Sequence, residues 1–223
     1  MACIPARNAI ALTFFAPNIV MNKRLVWNFE INPSESLELG NTQAAADDMR
    51  WESRFFWPEN TIITLNGLDE SFLELSRFEA KHRQDTYYLL ANADYNIKVR
   101  KEQLLYKPAL KKTSHATAYG KKLKLAEQKS EQLLPGTDDL STKSLLELIN
   151  KQGKQIVVEK EALLFQFGTS HTTKLELARL KLANNTYFSV SIESRSVVWI
   201  ELISHHLLGD QIACDYVTFL KSI

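Results

Sequence analysis

Cysteine is nearly absent: Cys3 and Cys214 are the only two in 223 residues. Two thiols cannot make a disulfide framework or a thiolate zinc site, and a reducing compartment is the expectation. Glycine and proline are scarce, at seven and six, which excludes collagen-like and low-complexity disordered chains. Neither sign of charge dominates, since 27 Lys+Arg against 26 Asp+Glu leave a formal +1. That balance carries no global signature of nucleic-acid or membrane attraction, and neither partner is expected. Long apolar runs are missing as well. Ala9–Ala16 is too short to span a bilayer and is followed by Pro17. It has neither the strongly basic flank nor the small-residue cleavage site of a signal peptide, so the expected location is the cytoplasm.

What remains is folding capacity. At 45% hydrophobic and 10% aromatic the chain can build a sizeable core, and its length favours one domain. Residues 1–45 read as an N-terminal extension, of which 1–20 are expected to be a dispensable leader, at least in part, or an over-long gene start. A second methionine, Met21, precedes the strand-like Asn22–Phe29, and residues 32–48 are polar and small, a connecting loop. Residues 46–223 form the domain proper.

Alternation with a period of two dominates that domain, the mark of strands with chemically different faces. In Met49–Trp57 the apolar Met49, Trp51, Phe55 and Trp57 oppose Arg50, Glu52 and Arg54. Ile97 and Val99 alternate with Lys98 and Arg100. Lys107 and Lys111 share a face in Leu104–Lys111, where Pro108 argues for an edge or a bulge. Lys122 and Lys124 oppose Leu123 and Leu125, and Phe188, Val190 and Ile192 oppose Ser189, Ser191 and Glu193. With Asp85–Leu90, Gln155–Phe165 and Lys174–Leu182 there are about eight strands, enough for a barrel or sandwich. Helical spacing predicts helices over Leu68–Lys81, over a segment opening at Ser141 and closing near Gly153, and over two C-terminal stretches separated by Gly209. The expected fold is α+β, mainly antiparallel β.

Cations recur at period two: Lys98, Arg100, Lys107, Lys122, Lys124, Arg179 and Lys181. They are either the solvated face of a sheet, with lysines blunting its edges, or the lining of a barrel. Inward cations would repel one another unless a polyanion neutralised them, so the second reading implies a phosphate-rich ligand.

Three segments bear on the choice: Asp85-Thr86-Tyr87-Tyr88, Asn96-Ile97-Lys98-Val99-Arg100 and Leu104-Leu105-Tyr106-Lys107. Near the end, Glu193 closes a strand, and Leu207-Leu208-Gly209 leads to Asp215-Tyr216-Val217-Thr218-Phe219-Leu220. In this order the segments resemble the CYTH superfamily, the triphosphate tunnel metalloenzymes, over residues 49–221. The resemblance implies an eight-stranded antiparallel β-tunnel with accessory helices that binds a small-molecule triphosphate or other polyanion. Arg54, Lys98, Arg100, Lys107, Lys122, Lys160 and Arg179 would hold phosphates. Glu52 and Glu193 would hold Mg²⁺ or Mn²⁺. Phosphoryl transfer of that kind needs charge neutralisation and in-line positioning more than a covalent nucleophile.

The chain departs from the family at its acidic positions. The expected Glu-x-Glu-x-Lys strand is here Arg50-Trp51-Glu52-Ser53-Arg54, and a second Glu-x-Glu pair is Ser191-Ile192-Glu193. Three functions stay open. One is a divalent-metal triphosphatase with an altered acidic set drawing on Glu159, Glu161 or Glu176. The second is a non-catalytic binder of a phosphorylated ligand, and the third a β-barrel carrier of an apolar one. The five histidines show no metal-binding spacing, and no Gly-rich phosphate loop occurs.

Overall fold

The computed structural model describes residues 21–33, 37, 39 and 45–223. The Ala9–Ala16 run, Cys3 and the expected leader lie outside them. The strands are β1 (Lys23–Val26), β2 (Phe29–Asn32), β3 (Arg50–Pro58), β4 (Ile63–Asn66), β5 (Glu79–Leu89), β6 (Asn96–Arg100), β7 (Gln103–Lys107), β8 (Ala109–Lys112), β9 (Thr117–Tyr119), β10 (Leu123–Lys124), β11 (Lys154–Phe167), β12 (Thr173–Leu182) and β13 (Asn185–Ser194). The helices are α1 (Thr142–Gln152), α2 (Val197–Leu208) and α3 (Tyr216–Lys221).

Ten strands form one antiparallel sheet in the order β10-β7-β6-β5-β11-β12-β13-β3-β9-β8. Eight were expected; the excess comes from the break at Pro108, which divides Leu104–Lys111 into β7 and β8, and from the short β9. That break also dictates the shape. In a flat sheet β7 and β8 would stand roughly 38 Å apart, at about 4.8 Å per strand. Lys107 and Ala109 are separated by one residue, which reaches at most about 7 Å. The sheet therefore curls strongly enough to bring β7 and β8 together at Pro108, and the Gly120 amide donates to the Pro108 carbonyl at 3.0 Å near that seam.

Curling gives the sheet an inner and an outer face, and alternation sorts the side chains between them. Trp51, Phe55, Leu175, Leu177, Phe188, Val190 and Ile192 face outward and are buried beneath α2 and a small second sheet, β1-β2-β4. Phe29 and Ile31, expected in the N-terminal extension, are fully buried in this core, so residues 23–32 are part of the fold. Outside β6 and β7, α1 packs Leu145 and Ile149 on Ile97 and Tyr106. Ser141 caps α1 by accepting from the Ser144 amide, as its sequence predicts.

The expected helix over Leu68–Lys81 does not form. Two short 3₁₀ turns, Glu70–Leu73 and Leu75–Arg77, bury Phe72 and Phe78 against Phe165 and Phe167, and β5 starts at Glu79. Pairing of Glu79–Leu89 along the whole of Lys154–Leu164 outweighs the helical spacing of four apolar residues. At the C-terminus, Gly209 at φ +60° ends α2 and the chain turns back into the barrel. There α3 fills one end of the interior with Tyr216, Val217, Phe219 and Leu220 against Tyr87, Val158, Ala178 and Leu180. The other end stays open.

Candidate functional site

That open end is a cavity of about 570 Å³. Its wall is the inner face of the curled sheet, supplied by Arg50, Glu52 and Arg54 of β3, Lys81 and Arg83 of β5, Lys98 and Arg100 of β6, Lys107 of β7, Lys160 of β11 and Lys174 and Glu176 of β12. Lys121, Lys122, Glu193, Arg195 and Asp48 complete the charged lining. Twelve cationic side chains thus meet four carboxylates, an excess of eight positive charges in one cavity.

Three carboxylates organise the buried cations. Glu176 accepts from Lys160, from Arg54 Nη1 at 3.1 Å and from Arg83 Nη2 at 3.2 Å. Cross-strand register explains how Arg54 gets there: Glu176 pairs with Ser191 on β13, which pairs with Arg54 on β3. The small serine leaves space for the two long side chains to meet across it. Asp85, on the inward face of β5 between Arg83 and Tyr87, accepts from Lys98 Nζ at 2.9 Å and from Arg100 Nε at 2.6 Å. Glu52 accepts from Arg54 Nε at 2.9 Å and from Lys107 Nζ at 2.8 Å, the latter tying β7 to β3 across the seam.

Aromatic rings form the floor. Tyr216, the first residue of α3, stacks on Tyr87 with ring centroids 4.8 Å apart and meets Phe56 edge-on at 5.4 Å. Arg54 lies 5.2 Å over Tyr216, and Lys107 3.7 Å over Tyr119. The Cys214 amide donates to the Arg54 carbonyl at 2.8 Å, pinning the plug to the wall. Arg83 Nε is a buried donor with no acceptor among the described residues.

Burial and charge set the protonation states. Burial would raise Glu176, but Lys160, Arg54 and Arg83 overcome it and hold its carboxyl far below the usual range. Burial would likewise raise Glu52, and Lys107 and Arg54 hold it as low. Against the burial effect, Arg100 and Lys98 bring Asp85 down to about 2. Two lysines move the other way. Burial pushes Lys160 down to about 7 despite Glu176, with Arg54 and Arg83 adding to the shift. Burial, helped by Arg100, brings Lys98 to about 7 despite Asp85. Both titrate near neutrality.

Of the residues expected to hold phosphate, Arg54, Lys98, Arg100, Lys107, Lys122 and Lys160 line the cavity together. Arg179 does not. It shares the outer face of β12 with Leu175 and Leu177, pairs with Glu161 at 2.6 Å and lies 5.6 Å over Trp27. Its parity is odd where Lys174 and Glu176 are even. Arg83, Lys81 and Lys174 were missed; the first two fell within or beside the expected helix. The signal was present, since Arg83 is two residues from Asp85 and four from Tyr87 on one strand.

Glu52 and Glu193, expected as metal ligands, face each other in register across β3 and β13. Their donor atoms do not fit a divalent ion. Both oxygens of Glu52 hold cations, and Glu193 Oε1 accepts from Arg50 Nη1 at 2.9 Å. Among the described residues no three His, Cys, Asp or Glu side chains are grouped to hold a metal ion. Glu159 and Glu161 do not line the cavity. No helix among the described residues is long and apolar enough to cross a membrane.

No sequence family matches the chain. No curated protein matches it either. Among solved structures, a Bacillus halodurans chain described as a "putative adenylate cyclase" is similar at 11% identity, covering 63% of this chain and 80% of that one, with a TM-score of 0.35.

Proposed function

We propose that the protein binds a compact polyphosphate anion inside the barrel, either inorganic triphosphate or the triphosphate group of a larger molecule such as thiamine triphosphate or a nucleotide. The observation that carries this reading is the excess of eight cationic side chains in one cavity of a chain whose net charge is +1. Cations gathered in an enclosed space stabilise a ligand of high negative charge density more than any neutral one. Arginines suit bidentate contact with phosphate oxygens, and lysines supply adjustable point charges. The unpartnered Arg83 Nε and the cations Lys121, Lys122 and Lys174, which have no carboxylate partner among the described residues, offer contacts that need no internal ion pair to break. The sequence resemblance to the CYTH superfamily points to the same ligand class.

Holding the anion is the function these residues support, rather than cleaving it, because Glu52, Glu176 and Glu193 each already accept from a cation. An apolar ligand finds its end of the barrel already filled by α3.

Thermal unfolding with tripolyphosphate and with orthophosphate tests the reading. A ligand at a hundred times its Kd stabilises by about 2.7 kcal/mol. For a domain of this size that is a rise in Tm of roughly 5–10 °C. Tripolyphosphate is expected to give it, orthophosphate far less, and added salt to reduce it. The absence of any shift with tripolyphosphate overturns the proposal. Phosphate release with Mg²⁺ or Mn²⁺ present would replace binding by hydrolysis as the function.

A further inference from the structure

Resting on that reading, we infer that the barrel takes its polyanion in the metal-free form, with the Arg50 guanidinium supplying the positive charge at the mouth. Arg50 is on the inward face of β3, two residues before Glu52, and its Nη1 reaches Glu193 on the neighbouring strand. A divalent ion at this point would need hard oxygen donors, and magnesium demands several in near-octahedral geometry. The two carboxylates closest in register, Glu52 and Glu193, are committed to Arg54, Lys107 and Arg50. Freeing either would leave a cation without its counter-charge, in a cavity that already carries more positive than negative groups.

Coulomb terms give the preference its sign. Chelation by a divalent ion removes two negative charges from the polyanion before it meets the cationic wall. The complex is attracted less, and the metal itself is repelled. Free tripolyphosphate is the better ligand for this wall, whereas a cavity built around carboxylates would favour the metal complex.

Titration calorimetry with tripolyphosphate, in EDTA and then in excess Mg²⁺, decides it. Binding is expected in EDTA, with Kd weakened by roughly tenfold or more when magnesium complexes the anion. The Arg50→Glu variant adds a second reading, because it changes an exposed rim residue and adds a carboxylate beside Glu52 and Glu193. Its binding in EDTA should fall by roughly tenfold, and magnesium should restore it in part. Binding by the unaltered protein only with magnesium, or more tightly with it, overturns the inference and leaves polyphosphate binding standing. Magnesium that leaves the affinity unchanged overturns it equally. No binding under either condition removes both.

Discussion

Glu176→Gln is the most informative single change, because it removes one charge and almost no volume. Glu176 is buried and accepts from Lys160, Arg54 and Arg83. Without its charge those cations face one another, and of the three only Arg54 keeps a carboxylate partner, Glu52. Breaking a buried ion pair from one side costs about 3–5 kcal/mol. For a domain of this size that is a fall in Tm of roughly 6–20 °C. The loss should depend on pH. Lys160 titrates at about 7 and loses the influence that raised it, so above neutrality it sheds its proton and relieves the repulsion. Below neutrality the unaltered protein regains the charged Lys160–Glu176 pair, which the variant lacks, and the full cost appears. A polyanion reverses the sign of the effect. In the unaltered protein it must compete with Glu176 for three cations, and in the variant it does not. Melting curves near pH 6 and near pH 8, with and without saturating tripolyphosphate, should show the variant less stable alone and gaining more from the ligand. A variant that melts with the unaltered protein at both pH values, and gains no more from tripolyphosphate, refutes the assignment of Glu176 as the internal counter-ion.

Polyanion binding should take up protons at and above neutral pH, since the ligand favours the charged forms of Lys98 and Lys160, which burial holds at about 7. Affinity should then fall as pH rises beyond 7, by up to roughly tenfold per lysine per pH unit; binding heats that do not vary with the ionisation enthalpy of the buffer count against it. Arg179→Ala should leave the affinity for tripolyphosphate within about twofold, whereas Lys98→Ala should weaken it by roughly tenfold. Equal losses in a competition assay would mean that the face assigned to Arg179 is wrong.

The alternation of single strands is legible in the sequence, and it sets Arg54, Lys98, Arg100 and Lys107 opposite the apolar residues of their own strands, while their gathering in one cavity is what the resemblance implies and not what alternation shows. Each has an apolar neighbour on both sides in sequence or a strand parity set by Trp51, Ile97 or Tyr106. Arg179 shows where this method stops. Along β12 both faces are largely buried, the outer one under α2 and the inner one, from Ala178 onward, against α3. Apolar residues therefore no longer mark the outside, and parity cannot be read from composition. The Leu68–Lys81 segment failed for a different reason. Its helical spacing reflects a cluster of phenylalanines gathered by two tight turns, and only the distant β11 decides that Glu79 begins a strand. Pro108 was visible as a break, but its consequence needed the strand order, which no local pattern contains.

Where the resemblance calls for a carboxylate, residue 191 is a serine, and the carboxylate stands one strand away at Glu176, directly opposite it. Facing side chains on neighbouring strands have Cβ atoms about 5 Å apart, so an acid at both positions would set two like charges side by side. With the acid on β12 instead, Arg54 can reach across Ser191 and Lys160 and Arg83 can approach from the far side, so one carboxylate restrains three cations. Asp85 and Glu52 repeat the arrangement with two each. The neutral total follows from the same placement. Against a whole-chain charge of +1, an excess of eight in the cavity requires a net −7 over the rest of the chain. The cavity thus folds with its innermost cations restrained from within, while Lys121, Lys122 and Lys174 at its wall have no carboxylate partner among the described residues to displace.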